Sequence, residues 1–301
     1  MMLAQTTAST VRKGMFLMIA AMMIVPWMDA ISKLLAATLS PGQIAWSRFA
    51  LQSVFLLPVM LLSGRRLASR HHRLHLARGV LIGMSIILMV WSFQYLPLAN
   101  AVAIFFIEPL ILTLLAALIL REVVSRERLL VVMVGLLGAL IVIRPNWQAF
   151  GPATLLPVAT AFCFAGYLLL TRYSSVSEDA VRMQLWAGLY ASLALGAGLA
   201  LGDWAGIGLL SMVWPDAVEW RWLVLLGAVS AVGHVVLAIA FRHAGASTLA
   251  PFQYLEIIMA TALGWMLFAE FPDALTWFGT VIIIGAGLCV FWMERDHATT
   301  R

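Results

Sequence analysis

Ten runs of about twenty apolar residues, parted by short turns, occupy this chain from one end to the other. A helix rises about 1.5 Å per residue, so each run can cross the roughly 30 Å hydrocarbon core of a bilayer. The runs are Lys13–Ala36, Gly42–Leu62, Leu74–Tyr95, Leu98–Leu120, Arg126–Ile143, Gly151–Thr171, Ala180–Leu201, Glu219–Phe241, Ala246–Phe268 and Asp273–Met293. Breakers separate them at Ser40-Pro41-Gly42, Pro97, Arg144-Pro145-Asn146, Gly151-Pro152, Trp214-Pro215-Asp216 and Phe271-Pro272-Asp273. The expected fold is an all-α integral membrane protein with ten transmembrane helices, and no connection is long enough for a soluble domain. The run after Arg12-Lys13 continues through Trp27 to Ala36, too long for a cleaved leader, and reads as the first span.

Composition narrows the function. With 63% hydrophobic and 11% charged residues, the chain carries more apolar surface than a soluble domain of 301 residues needs. A net charge of +5 raises the question of nucleic acid, but the basic residues lie between apolar runs and not along one soluble face, so no nucleic-acid partner is expected. Cys163 and Cys289 both sit inside apolar runs, which fits neither a disulfide framework nor a CxxC metal site. The chain has no GxSxG, HExxH, Walker A or dinucleotide fingerprint, and its histidines are not paired with acids at ligand spacing. Neither an enzyme nor a cofactor or metal is expected.

Orientation follows from the basic residues. With the N-terminus inside, one set of connections and termini holds fifteen Lys and Arg, including Arg12, Lys13, Arg65, Arg66, Arg70, Arg73 and Arg78; the rest of the chain holds only Lys33, Arg48, Arg144 and Arg221. This bias puts both termini in the cytoplasm with an even number of spans. The cluster Arg65–Arg78, with His71, His72 and His75, reads as a stop signal touching anionic lipid.

Two acids break the apolar pattern. Glu108 and Glu256 each lie mid-run, 148 residues apart, and each is followed fourteen residues later by a second glutamate, Glu122 and Glu270. Such a repeat predicts two copies of one membrane unit, residues 1–145 and residues 146–301 with a short cytoplasmic tail. Five spans per copy is an odd number, so the second copy enters from the opposite side and the repeats are inverted. Both carboxylates sit about ten residues, roughly 15 Å, into their helices and reach the bilayer midplane, where substrate sites of inverted-repeat carriers lie. A charged group there is costly and calls for a cavity or a partner; an interhelical hydrogen bond that glues the bundle is the competing reading. Residues three and four positions earlier share each glutamate's face on a continuous helix: Ile104 and Phe105 in one copy, Phe252 and Gln253 in the other. The second face is more polar, as an asymmetric substrate requires.

Other intramembrane polar groups complete the candidate set. Asp29 and Lys33 stand i,i+4, acid first, the favourable order for a local ion pair. Arg48 lies about six residues, roughly 9 Å, below the outer end of its helix and is read as snorkelling, pairing with Asp29, or binding an anionic substrate group. His234 reads as hydrogen-bonded glue or a proton relay. Trp91, Gln94 and Tyr95 put aromatic and amide groups near the outer end of the third span. Gly135, Gly138, Gly285 and Gly287 fit close helix packing.

Phe106-Ile107-Glu108-Pro109, the apolar helix to Arg121-Glu122, and the Gly135-to-Ile143 helix ending at Arg144-Pro145 resemble the closing part of an EamA domain of the drug/metabolite transporter superfamily. Tyr254-Leu255-Glu256 through Trp265, Glu270 and Trp277-Phe278-Gly279 to Gly285 is similar, with Ile257 in place of Pro109 and Phe271-Pro272 after Glu270. The resemblance implies a ten-helix carrier with two EamA repeats, a central cavity between two four-helix groups, and the fifth and tenth helices at the periphery. It also implies a secondary transporter of the bacterial inner membrane that moves a small polar or amphipathic metabolite by alternating access. Amino acids, vitamins and nucleotide-derived compounds are the candidate cargo, with protons as the candidate coupling ion and lipids as surroundings. Export of drugs or toxic metabolites is the alternative within the family; a membrane-embedded enzyme or a lipid flippase lies outside it. The expected substrate or coupling residues are Glu108, Glu256, Gln253, Phe105, Arg48, Asp29, Trp91 and Tyr95.

Reporters fused at Ala68 and Glu178 should therefore report from the cytoplasm and those at Gln148 and Met212 from outside. Finding 68 and 148 on one side would end the inverted-repeat reading.

Overall fold

A computed structural model describes residues 8–63, 67–69, 71–119, 126–174, 180–243 and 252–299. Among these residues the regular structure is helical: α1 (Ala8–Leu35), α2 (Pro41–Leu62), α3 (His72–Ser92), α4 (Leu98–Phe105), α5 (Glu108–Ile119), α6 (Arg126–Phe150), α7 (Leu155–Ser174), α8 (Ala180–Trp204), α9 (Ala217–His243), α10 (Leu255–Phe268) and α11 (Ala274–Thr299), with short 3-10 turns at Gly151–Thr154 and Gly208–Leu210. The start of α2 shows how local sequence sets a boundary. Ser40 is extended and its hydroxyl accepts from the Gln43 amide at 3.1 Å, while Pro41 takes the first helical position, where a missing N–H costs nothing.

Among the described residues six helical stretches are long and apolar enough to cross a membrane: Val11–Leu35, Pro41–Leu62, His72–Ser92, Asn146–Thr171, Val181–Trp204 and Ala217–Leu237. Four apolar stretches are shorter, Leu98–Leu112, Leu130–Ile143, Leu255–Phe268 and Ala274–Ala286. Outward faces stay apolar. Leu62, Leu118, Trp204 and Trp214 are 79–89% exposed, a surface suited to a hydrocarbon surround.

Two boundaries differ from the sequence expectation. The helix expected to stop at Ile143 runs through Arg144-Pro145 to Phe150. Beyond the proline, buried Asn146 donates from Nδ2 to the Val142 carbonyl at 2.7 Å and accepts at Oδ1 from Asn100 Nδ2 of α4 at 2.7 Å, which holds the last turns against the bundle. The run expected as one helix from Leu98 is broken at Phe106-Ile107. Pro109 lacks the N–H that would bond the Phe105 carbonyl, and α4 ends at Phe105.

The packing has a two-fold pattern. α1 packs on α9 and α7 on α3; α2 packs on α9 and α8 on α3; α1 packs on α10 and α7 on α5; α2 meets α8, and α6 meets α11. Exchanging α1, α2, α3, α5 and α6 for α7, α8, α9, α10 and α11 turns each pair into another pair of the set or into itself. One pair of close approaches obeys the same rule: Gly79 and Gly227 are 148 residues apart. A Cβ at Gly79 would stand 2.7 Å from Tyr190 Cβ and 2.8 Å from the Ala191 amide nitrogen of α8, and one at Gly227 would stand 2.4 Å from Leu51 Cβ of α2. Gly135 and Gly138 likewise bring α6 onto its neighbours, with Leu110 at 2.3 Å and Ile282 at 2.7 Å from their would-be Cβ atoms. Gly285, expected to serve close packing, has no such neighbour within 4 Å.

Gly79→Val and Gly227→Val should each lower stability by roughly 1–3 kcal/mol through overpacking. Gly198→Ala, where nothing lies within 4 Å, should not. Thermal unfolding in detergent tests this, and equal melting of Gly227→Val and Gly198→Ala would contradict the packing account.

Candidate functional site

Helix packing brings the polar stripes of separate spans together. α1 carries Asp29, α2 carries Arg48 and, one turn on, Gln52; α9 carries Ser230 and, one turn on, His234. Because α1 and α2 both pack on α9, these groups share one interior. Arg48 Nη1 stands 3.7 Å from Asp29 Oδ1, with the two side chains 5% and 12% exposed. Arg48 therefore does not snorkel. Its Nη2 approaches the Met28 thioether at 3.4 Å, and Gln52 Oε1 accepts from His234 Nδ1 at 3.0 Å.

Glu108 and Glu256 both reach this interior from the first turn of a helix. Glu108 opens α5 directly after the break at 106–107, and Glu256 is the second residue of α10, after a turn at Tyr254. The reading of a face shared with residues three and four positions earlier on one continuous helix is thereby corrected: Phe105 ends α4, and Gln253 lies on the other side of the Tyr254 turn from Glu256. A helix N-terminus carries a partial positive charge that favours a carboxylate placed in its first turn. Glu256 lies within electrostatic range of Asp29, Arg48 and Glu108, and His234 within range of Arg48. Glu108 is buried, and its Oε1 has no hydrogen-bond partner.

Aromatic rings line the approach to Glu108. Phe105 meets Phe106 at 5.9 Å and Phe164 of α7 at 5.4 Å between ring centroids, and Phe106 meets Tyr254 at 5.6 Å. Half-buried Trp91 and half-exposed Tyr95, the remaining sequence candidates, make no side-chain hydrogen bond or ring contact among the described residues. Gln94 beside them donates to the Ala36 carbonyl at 3.1 Å. Gln52 and Ser230 are the polar residues that sequence reasoning passed over. Their signal was present, since each lies four positions from a residue already singled out, Arg48 or His234.

The local Asp29–Lys33 pair does not form. Lys33 Nζ instead meets Glu270 Oε1 and Oε2 at 2.7 and 2.6 Å and donates to the Leu96 carbonyl at 3.0 Å. Glu270 Oε2 also accepts from the Leu98 amide at 3.1 Å, the first of α4. Ala269, left-handed at φ 55°, closes α10 and turns Glu270 back toward α1. The clasp joins the last turn of α1, the α3–α4 corner and the end of α10 across the two halves. Glu122, the corresponding glutamate of the first half, lies outside the described residues, as do Arg65, Arg66, Arg70 and Arg121.

Against known proteins, the chain matches the model of the EamA-like transporter family twice, over residues 12–144 and 151–292. The chain belongs to the EamA-like transporter family. It is a multi-pass membrane transporter. It is 30% identical to a riboflavin transporter of Brucella anthropi over 86% of this chain and 89% of that protein. It is 27% identical to an S-adenosylmethionine uptake transporter of Rickettsia prowazekii, over 91% and 90%, and 27% identical to a pseudopaline exporter of Pseudomonas aeruginosa, over 91% and 94%. A crystal structure at 18% identity shares its fold with a TM-score of 0.63 over 96% of this chain and 98% of that one. The two family matches divide the polar interior between them, Asp29, Arg48 and Glu108 in the first and His234 and Glu256 in the second.

In this EamA-like transporter, Lys33→Met should strand Glu270 and lower stability by roughly 1–3 kcal/mol, as expected for loss of a hydrogen bond to a charged group. Pairing it with Glu270→Gln should recover part of the loss in a thermal-unfolding double-mutant cycle. Strictly additive effects would deny the clasp.

Proposed function

We propose that this protein is a secondary transporter that carries a small polar or amphipathic metabolite across the bacterial inner membrane by alternating access, with Glu108 and Glu256 at the heart of the substrate or coupling site. The observation that carries the reading is the convergence of Asp29, Arg48, Glu108, His234 and Glu256, drawn from both family-matched halves, into one interior. Buried ionisable groups within spans are costly and mark ion or substrate paths. Half-helix starts beside such groups are the usual construction of carrier sites.

The full proposed topology has ten crossings, in two inverted five-helix repeats at 1–145 and 146–301, with both termini cytoplasmic. The two-fold pairing of helices and the 148-residue spacing of Gly79 and Gly227 support the repeat; the arginine bias supports the orientation. Phe105 and Gln253 flank the two carboxylates, while Trp91 and Tyr95 stand toward the outer end of the path. The relatives named for riboflavin and S-adenosylmethionine transport support a vitamin or nucleotide-derived cargo, and one named for pseudopaline export leaves both directions within the family. Protons are the proposed coupling ion, since carboxylates outnumber guanidinium groups in this interior.

Screening metabolite extract for uptake and efflux in proteoliposomes identifies the cargo, after which Glu108→Gln and Glu256→Gln separate the roles. Glutamine keeps shape and most hydrogen bonding but removes the titratable charge. A variant that exchanges substrate yet loses accumulation driven by a pH gradient marks the coupling group; one that loses both marks a substrate contact. Glu256, with Gln253 beside it, is expected to be the more sensitive, and at least one variant should fall about tenfold or more in accumulation. Wild-type transport and pH dependence in both, at matched abundance, would refute the midplane site.

A further inference from the structure

Buried polar atoms without partners are few in native folds, so each one needs a reason. Arg48 is only 4% exposed, and its Nε and Nη1 have no hydrogen-bond partner. Its Nη2 has only the Met28 thioether, a weak acceptor, at 3.4 Å. Nε and Nη2 share the side edge of the guanidinium, one of the faces that take both oxygens of a carboxylate. Among the described residues no oxygen claims that edge. Asp29 stands on the Nη1 side at 3.7 Å, which balances charge but is too long for a hydrogen bond. Deprotonation offers no relief, because a guanidinium stays charged in proteins.

The neighbouring unpartnered atoms have the same polarity. Gln52 Nε2 and Ser230 Oγ are fully buried and without partners, on the facing helices α2 and α9. Both can donate. Around Glu108 the polarity reverses, where the unpartnered buried atom is the acceptor Oε1. Glu256 is within electrostatic range of Glu108, so this end holds two carboxylates, and Lys33, in the last turn of α1, is committed to Glu270. Asp29 and Glu256 lie within electrostatic range of the Arg48 guanidinium, and Glu108 lies within range of Glu256. The rings of Phe106 and Tyr254 stand beside Glu108, suited to a cationic or flat group.

We propose that Arg48 holds a carboxylate of the transported molecule, so that the substrate is a zwitterion whose cationic end faces Glu108 and Glu256. This inference rests on the reading of the central cluster as the substrate site and adds the chemical class of the cargo. Gln52 and Ser230 supply further donors at the carboxylate end. A neutral substrate would leave the donors of one end and the acids of the other unanswered.

Counterflow into proteoliposomes tests it with probe pairs that differ by one carboxyl group: S-adenosylmethionine and its decarboxylated form, lysine and cadaverine, tryptophan and tryptamine. Riboflavin serves as a probe with neither a carboxylate nor a cationic group. Wild-type protein should exchange at least one zwitterion and prefer it to its decarboxylated partner about tenfold or more, the size expected of a charge-assisted hydrogen bond. Arg48→Lys keeps the charge but loses the planar edge, and should cut that preference several-fold with little change in melting temperature. Arg48→Gln should abolish it. Equal counterflow of both members of every pair by wild type overturns the proposal without any variant, as does a preference unchanged in Arg48→Lys. Counterflow of riboflavin alone overturns the zwitterion while leaving the transporter reading intact. If no probe moves, the zwitterion is overturned, and the metabolite-extract screen decides the transporter reading separately.

Discussion

Arg48 sits where an apolar bundle can least tolerate it, and the polar interior is organised around answering its charge. A guanidinium removed from water must find opposite charge and acceptors, or the fold bears the cost. Asp29 of α1 supplies charge at 3.7 Å, and Glu256 of α10 lies within electrostatic range. Those two partners sit on α1 and α10 while Arg48 sits on α2, so the answer depends on α1 packing on α10 and on α1 and α2 both packing on α9. Glycine makes one of these contacts close: at Gly227, α9 approaches Leu51 of α2 so nearly that a Cβ would not fit.

Only part of the chemistry follows the repeat. Gly79 and Gly227 recur at 148 residues, as do Glu108 and Glu256, but Arg48 and His234 do not. The position 148 after Arg48 is Gly196, and the position 148 before His234 is Ile86. One half thus contributes the guanidinium and the other the imidazole. A symmetric frame can support motion of two similar units, while a one-sided set of polar groups can hold an asymmetric molecule in one orientation. The clasp of Lys33 with Glu270 crosses the same boundary, away from the central cluster and at the end of α10.

Fold class and family were legible from apolar run length, the repeated glutamates and the Phe106-to-Pro109 motif. The break after Phe105 was legible in principle, because Pro109 removes a specific backbone donor. Its counterpart was not, since Ile257 stands at the proline's place and the chain still turns at Tyr254. Continuation of α6 past Pro145 was hidden for another reason: Asn146 is held by Asn100, 46 residues away, and no local signal reports that bond.

By itself the sequence determined the lengths of the apolar runs, the internal repeat, and the presence of acids and bases where lipid would otherwise surround them, because these follow from composition and spacing along one strand of chain. Only the tertiary structure decided who answers whom. Asp29 and Lys33 are ideally spaced on α1 to pair with each other, yet Asp29 faces Arg48 and Lys33 binds Glu270, 237 residues away. An i,i+4 pair on a helix surface contributes only a few tenths of a kcal/mol. Buried Arg48 on α2 and part-buried Glu270 just past the end of α10, each needing a partner, outweigh it, and which helices lie side by side is a property of lateral packing that periodicity along the chain does not record.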